Sequence, residues 1–257
     1  MTQVNPDARL ETRGADLANP AVRSVSGVLP CYNDAATIGS MVHRLHAALA
    51  RCGAPFEIIV VNDGSTDGSD DVLTRLETDV AELRVVRHGQ NRGYGAALRS
   101  GFGAARFEWV FYTDGDGQYD AEEVTTLLGL AAEDVDWVQG WKLTRQDAWF
   151  RRVIGKAYHR LVRLLFRVGI TDTDCDFRLI RRAMLERLQL GSSSGAVCAE
   201  MAYKGRIAGA RIVETPVHHY ARPVGRSQFF RIPHVARTVS ELLLLWWRVV
   251  VLRQPVS

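Results

Sequence analysis

Apolar runs and polar breaks alternate along the first 140 residues with two periods. Val25 to Pro30 is a short apolar run that ends in Cys31-Tyr32-Asn33-Asp34, a strand feeding a loop. From Ala36 to Leu49 the apolar residues Ile38, Met41, Val42, Leu45 and Leu49 recur at helical spacing. Phe56 to Val61 reads as a second buried strand, closed by Asn62-Asp63-Gly64-Ser65-Thr66-Asp67-Gly68-Ser69, and a helix follows from about Asp70 to Glu77. Leu83 to Val86 is a third strand, and the Ala-rich stretch from Gly93 to Ala105 a helix. Trp109 to Tyr112, a helix over Glu122 to Ala132, and a strand over Asp136 to Gly140 complete the alternation. Strands alternating with helices predict an α/β fold with a mostly parallel, twisted sheet covered on both faces. In such sheets ligands lie beyond the carboxyl ends of the strands.

The second half is less regular. Arg151 to Val168 carries Val153, Ile154, Ala157, Leu161, Leu164 and Leu165 at helical spacing. Thr171 to Arg178 is an acidic turn running into Leu179-Ile180; a short helix covers about Ala183 to Leu188, and Gly191-Ser-Ser-Ser-Gly195 reads as a flexible loop. A helix over Val197 to Tyr203, a strand over Arg211 to Val217 and a basic, aromatic-studded loop from His218 to Arg231 follow. Val235 to Leu252 is apolar but interrupted by Arg237, Glu241 and Arg248, too short and too charged for a spanning helix of about 20 apolar residues. With Trp246 and Trp247 near arginines it fits an amphipathic helix at a membrane interface; a core or dimer helix is the other reading. The first 24 residues have no apolar segment of signal-peptide type and read as a disordered tail. The organisation expected is therefore a tail (1–24), one domain (25–231) and a C-terminal amphipathic helix (232–257).

Chemistry concentrates in the loops after the strands. In Phe111-Tyr-Thr-Asp-Gly-Asp-Gly-Gln-Tyr-Asp120 an apolar run is broken at once by two carboxylates and two glycines. Carboxylates two residues apart on extended chain point the same way, so Asp114 and Asp116 can aim at one cation, and hard oxygen ligands suit Mg2+ or Mn2+. A polar turn is the alternative, with Asp120 capping the next helix; Asp34 and Asp67 can likewise be read as caps. Asp34, Asp63 and Asp114 to Asp116 all follow a predicted strand, so three acidic loops should meet at one edge. The nearest dinucleotide fingerprint, Gly93-Tyr-Gly95-Ala-Ala-Leu98, lacks its third glycine and follows the third strand, and no phosphate loop of the G-x-x-x-x-G-K-[ST] type occurs. Four scattered cysteines without a CxxC argue against a zinc site or disulfide framework and fit a reducing compartment. Charge adds an asymmetry: residues 1–140 hold 11 Lys+Arg against 21 Asp+Glu, residues 141–257 hold 21 against 8. An acidic half facing a basic half points to a phosphate-bearing or membrane-surface partner; solvated basic helices are the plainer reading.

Taken together, Leu29-Pro-Cys-Tyr-Asn-Asp34, Val60-Val-Asn-Asp-Gly-Ser-Thr-Asp67, Asn91-Arg-Gly-Tyr-Gly95 and Asp114-Gly-Asp-Gly-Gln118 resemble, in order, four motifs of the family 2 glycosyltransferases of GT-A fold. The resemblance is specifically to the polyprenyl-phosphate, dolichol-phosphate mannose synthase-like branch, and Arg222-Pro-Val-Gly-Arg226-Ser227 matches its R-x-x-G-x-S loop. The resemblance spans about Val25 to Arg231. It implies that Asp34 and Asp63 hold the base and ribose of a sugar nucleotide, in a pocket shaped by Pro30 with Tyr32, Gly64, Asn91 and Gly93. Asp114, Asp116 and Gln118 would bind Mg2+ or Mn2+ on the donor diphosphate. Lys142, Arg145, Arg152, Arg222 and Arg226 would clamp phosphates beside Ser227, with Asp116, Arg145, Arg152 and Arg226 closest to the chemistry. Lys142 stands where the branch usually has Arg, Lys156 where it often has Ser, and Asp176 where Gly is commoner; these departures touch the acceptor more than the donor.

The implied reaction is inverting transfer of a hexose from GDP-mannose or a UDP-hexose to a polyprenyl phosphate. The protein would then be peripheral at the cytoplasmic face of the membrane, with a homodimer as a further expectation and no nucleic-acid partner. A lipid phosphate is already ionised near neutral pH, its second pKa being about 6, so it needs no strong base. A hydroxyl acceptor would need one, and Asp172, Asp174, Asp176 and Glu200 are the candidates. A soluble acceptor, or a non-catalytic nucleotide-sugar-binding module, are the alternative readings.

Overall fold

The computed structural model describes residues 19–143, 160–223 and 232–252. Each predicted apolar run in the first half is a strand: β1 (Val25–Cys31), β2 (Phe56–Asn62), β3 (Leu83–Arg87), β4 (Trp109–Thr113) and β5 (Trp137–Lys142). Helices α1 (Ile38–Ala50), α2 (Ser69–Asp79), α3 (Tyr94–Ala104) and α4 (Val124–Leu130) link them. The remainder adds α5 (160–166), β6 (Phe177–Arg181), α6 (Arg182–Leu188), α7 (Ala196–Ile207), β7 (Ile212–Val217) and α8 (Ile232–Trp246). Among the described residues these make one seven-stranded sheet in the order β3-β2-β1-β4-β6-β5-β7.

Strands β3, β2, β1 and β4 are parallel, as are β5 and β7; β6 lies antiparallel between β4 and β5. The segment expected as a turn running into Leu179-Ile180 is thus a strand from Phe177. Its pattern is hidden because Arg178, wholly buried, occupies an inward position that normally takes an apolar residue. Successive strand residues alternate between two cores. Leu29, Ile58, Phe111, Val138 and Leu179 join α1, α2 and α4 on one face; Val28, Ile59, Tyr112, Trp137 and Ile180 join α3, α6 and α7 on the other.

Two consequences position a site. Because β5 and β7 run the same way as β1 to β4, the segments after β1, β2, β3, β4, β5 and β7, and the turn before β6, all emerge at one rim. The chain also reverses direction across the sheet between β1 and β4, opening the crevice where ligands bind in doubly wound sheets.

Helix α8 packs one side on the domain, so it is in part the core helix of the second reading. Thr238 and Leu242 are buried on the core, while Val239, Leu243 and Leu244 on its outer side are exposed, as is Trp247 in the turn that follows. Among the described residues no helix is long and apolar enough to cross a membrane.

Candidate active site

Two of the acidic loops meet through one cation. The Arg222 guanidinium, in the segment after β7, pairs with Asp34 Oδ1 through Nη2, and its Nη1 lies 3.3 Å from Asp116 Oδ2. Asp34 is not a helix cap: its other oxygen accepts from Tyr32 N (3.2 Å), and α1 has Thr37 at its N-cap position with no side-chain cap bond. Asp116 accepts from Gln118 N at 3.0 Å, which closes the turn after β4. Pro30, buried in β1, supports that turn from below; its carbonyl oxygen lies 2.8 Å from where a Cβ on Gly115 would stand.

Asp114, on the same turn, accepts from the Tyr94 hydroxyl at 2.8 Å. Burial pushes the Asp114 carboxyl well above the carboxylate range, and the neighbouring Asp176 and Asp116 push it further. Asp116 is raised too, by burial, with Arg222, the Gln118 amide and Lys142 offsetting part of the effect. For Asp34 burial wins over Arg222, and with Asp116 adding to it the carboxyl stands at about 6. Three carboxylates at one rim are thus short of positive charge. All offer hard oxygens, yet among the described residues no three His, Cys, Asp or Glu side chains are gathered to hold a metal ion by themselves. Such a donor set fits an ion that keeps one or two protein carboxylates and takes its other ligands from phosphate and water.

Lys142, at the end of β5, donates to Asp174 O at 2.7 Å and lies 5.9 Å from the Tyr119 ring centre. Burial would lower its pKa, but Asp172, Asp174 and Asp176 outweigh it and hold the ammonium charged. The turn carrying these aspartates is shaped from inside by Arg178. Its Nε and Nη2 donate to Cys175 O (3.0 Å) and Thr173 O (2.7 Å), and its guanidinium lies 5.6 and 5.4 Å from the ring centres of Tyr112 and Trp137. Asp176 Oδ1 accepts from Cys198 Sγ (3.0 Å) and the Tyr112 hydroxyl (3.4 Å). Gln118 ties the rim together: its side-chain amide donates to Tyr220 O (3.0 Å), and its carbonyl accepts from Tyr220 N (2.8 Å).

Asp63 is used differently. It is 2% exposed, and its oxygens accept from Arg92 N and Gly93 N (both 2.9 Å) and pair with His88 Nδ1 (2.5 Å), whose Nε2 meets Ser100 Oγ at 2.9 Å. This carboxylate therefore fixes the 88–93 segment from within. Gly64 permits the approach: it has φ +71, and a Cβ there would stand 2.5 Å from Gln90 C and 2.6 Å from the amide of the exposed Asn91.

Residues 26–189 match the family described as Glycosyl transferase family 2. The chain belongs to that family. Glucosyl-3-phosphoglycerate synthase from Mycobacterium tuberculosis, solved with Mn2+, UDP and glucosyl-3-phosphoglycerate, shares the fold with a TM-score of 0.68 at 18% identity, over 88% of this chain and 79% of that one. A mannosyltransferase from Pyrobaculum calidifontis, solved with GDP-mannose and Mn2+, gives 0.59 at 20% identity, over 89% of this chain and 66% of that one. The fold is GT-A-like, and the protein is a glycosyltransferase.

The remaining expected residues of this glycosyltransferase sort as follows. Arg145, Arg152, Lys156, Arg226 and Ser227 lie outside the described residues. Asp120 caps the turn at Ala121–Glu123 through Glu122 N, and Asp67 accepts from Ser69 N and Oγ at the start of α2. Of the four candidate bases, Glu200 is taken up by Gly191 N, Ser192 N and Lys204, and Asp172 accepts from Asp174 N. Asp176 is the one whose charge bears on both Asp114 and Asp116. Tyr94 does not stand out as a site residue in the sequence because an aromatic at the start of a helix looks like core; its position inside Asn91-Arg-Gly-Tyr-Gly95 is the available signal.

The loop from Gly191 to Gly195 is fixed rather than flexible. Its amides at 191 and 192 donate to Glu200, and those at 193 and 194 donate to Glu241. The serine-rich composition reads as flexible because the two carboxylates that order this loop lie outside the segment.

Proposed function

We propose that this glycosyltransferase moves a hexose from a nucleotide sugar, GDP-mannose or a UDP-hexose, to a polyprenyl phosphate at a membrane surface, inverting the anomeric centre. The observation that carries the reading is the join between loops: Arg222 spans Asp34 and Asp116, beside Asp114, at the crevice between β1 and β4. The solved relatives bound to UDP or GDP-mannose with Mn2+ support the donor class and the ion. Asp114 and Asp116, with Gln118 beside them, would hold Mg2+ or Mn2+; the ion would supply positive charge to a departing nucleoside diphosphate.

The chain's own residues do the rest. Tyr94 holds Asp114 in place, and the Gln118 contacts with Tyr220 keep the rim closed around it. Arg222 and the charged Lys142 are the described cations placed to clamp phosphate, with Arg145, Arg152 and Arg226 as their expected companions; guanidinium suits the task by its paired donors. Asp34 and Asp63 act on the nucleoside side, Asp34 directly and Asp63 through the segment it fixes. A lipid phosphate brings its own ionised oxygen, so the buried bonding of Glu200 and Asp172 leaves no step unserved. The exposed apolar side of α8 would seat the protein at the cytoplasmic face of a membrane.

A second reading, a soluble phosphorylated acceptor, is favoured by the likeness to the mycobacterial synthase, which was also solved with phosphoglyceric acid. Incubation with Mn2+ and labelled GDP-mannose, UDP-glucose or UDP-galactose, with and without polyprenyl phosphate, decides between them. Label passing into the organic phase supports the proposal. Turnover only with a soluble acceptor overturns its acceptor half, and no release of nucleotide with folded protein overturns it entirely.

A further inference from the structure

Helix α8 reaches the acidic rim through an unbroken chain of short polar contacts. Glu241, half-buried on α8, accepts through Oε2 from Ser193 N (3.1 Å), Ser194 N (3.0 Å) and Ser194 Oγ (2.8 Å), and through Oε1 from Ser193 Oγ (2.7 Å). Arg237, one turn earlier, adds a bond to Ser193 Oγ at 2.7 Å. The serine loop so held presents its Ser193 carbonyl to the next segment, where it accepts from Gly95 N at 3.0 Å. The approach is close enough that a Cβ on Gly93, which has φ +100, would stand 2.4 Å from the same oxygen. Gly93 N is held on its other side by Asp63, and between the two glycines Tyr94 donates to Asp114.

We propose that Glu241 is a positioning residue for the acidic rim: its carboxylate sets the serine loop, the loop sets the Gly93 to Gly95 turn, and that turn sets Tyr94 against Asp114. The burial of Glu241 raises its pKa, but the serine hydroxyls and amides outweigh that, and the carboxyl lies below its ordinary range. A charged acceptor bonded to two amides and two hydroxyls is among the stronger tethers a loop can have. Because the same helix carries the exposed Val239, Leu243 and Leu244 on its outer side, whatever seats α8 also steadies the turn that holds Asp114. The structural part of this inference is independent of the proposed donor; only its activity part rests on that reading.

The test compares the full chain with Glu241→Gln, which keeps the size and removes the charge, and with Glu241→Asp. Hydrogen–deuterium exchange is read on peptides covering 93–98, 114–119 and 191–195, with the C-terminal end of α1, residues 45–50, as reference, since only the start of that helix touches the 114–119 turn. The proposal expects exchange at Gly95 and across 114–119 to quicken roughly tenfold in Glu241→Gln, the scale of one lost charge-assisted hydrogen bond, with the reference unchanged and Glu241→Asp in between. Quickening confined to 191–195, or uniform quickening that includes the reference, overturns it. If Glu241→Gln does not fold, the pair Ser193→Ala and Ser194→Ala, which removes only the hydroxyl bonds, is read in the same way. In the activity arm, Glu241→Gln and Tyr94→Phe should each raise the Mn2+ concentration for half-maximal turnover more than they lower the rate at saturating Mn2+. Their combination should be less than additive, because both act through Asp114. Full additivity overturns the route through Tyr94. Were no donor turned over at all, the exchange result would still decide the inference while the functional reading failed.

Discussion

Asp34 occupies a position that should cost the fold stability. Burial raises its carboxyl to about 6 from an ordinary 3.8, with Arg222 pulling it down and Asp116 pushing it up. The folded protein therefore holds this proton more tightly than the unfolded chain does. Below the ordinary value both states are protonated and there is no penalty. Between the two values the unfolded chain ionises first and stability falls; above about 6 the penalty is complete and flat. The gap between the two values corresponds to roughly 3 kcal/mol, at about 1.4 kcal/mol per pH unit. Asparagine mimics the neutral carboxyl at nearly the same size. In metal-free buffer, Asp34→Asn is expected to match the parent protein near pH 4 and to exceed it by up to roughly 3 kcal/mol at pH 7.5, by urea denaturation at both pH values. The same variant should lose donor binding, a trade of function against stability seen where sites gather like charges. No gain at pH 7.5 would refute the reasoning, because it would mean that the Arg222 pair repays the burial of Asp34.

Further expectations follow from individual contacts. Asp116→Asn should lower turnover at least ~100-fold while circular dichroism stays unchanged; near-normal activity would remove the turn after β4 from the chemistry. Gly64→Ala, at φ +71 with a Cβ 2.5 Å from Gln90 C, should cost roughly 2–4 kcal/mol, read from the urea midpoint. Trp247→Glu, exposed just beyond α8, should reduce flotation with anionic liposomes at an unchanged melting temperature, whereas Leu242→Ala, 1% exposed, should cost about 2–5 kcal/mol. Deleting 235–257 should release the protein from liposomes, and because Glu241 and Leu242 go with it, should also destabilise the domain.

The first half of the fold was legible because each parallel strand is buried on both faces and so reads as an apolar run punctuated by Asp, Asn or Gly. Val25–Cys31, Phe56–Asn62 and Trp109–Thr113 each extend the predicted run by a single residue. Strand β6 escaped because it enters antiparallel and carries a buried arginine whose charge is satisfied by backbone carbonyls and aromatic faces, which no periodicity reveals. The same limit applies at the site. Strand-end position marked Asp34, Asp114 and Asp116, but whether a carboxylate faces the crevice or the chain depends on contacts made across long separations. Asp63 turns inward to His88 and Gly93, and Glu241 meets Ser193 from 48 residues away. Arg222 could be picked as a phosphate clamp from its motif, yet its pairing with Asp34, 188 residues earlier, needed the fold.

The most direct test of the account is calorimetric titration of Mn2+ into the protein with and without GDP or UDP. With too few side chains gathered among the described residues to hold an ion alone, Mn2+ should bind weakly by itself. It should bind at least ~10-fold more tightly once a nucleoside diphosphate supplies the missing oxygens, and Asp116→Asn should abolish that gain. Nucleotide binding that is equally tight in EDTA, or a metal effect that survives Asp116→Asn, would contradict it.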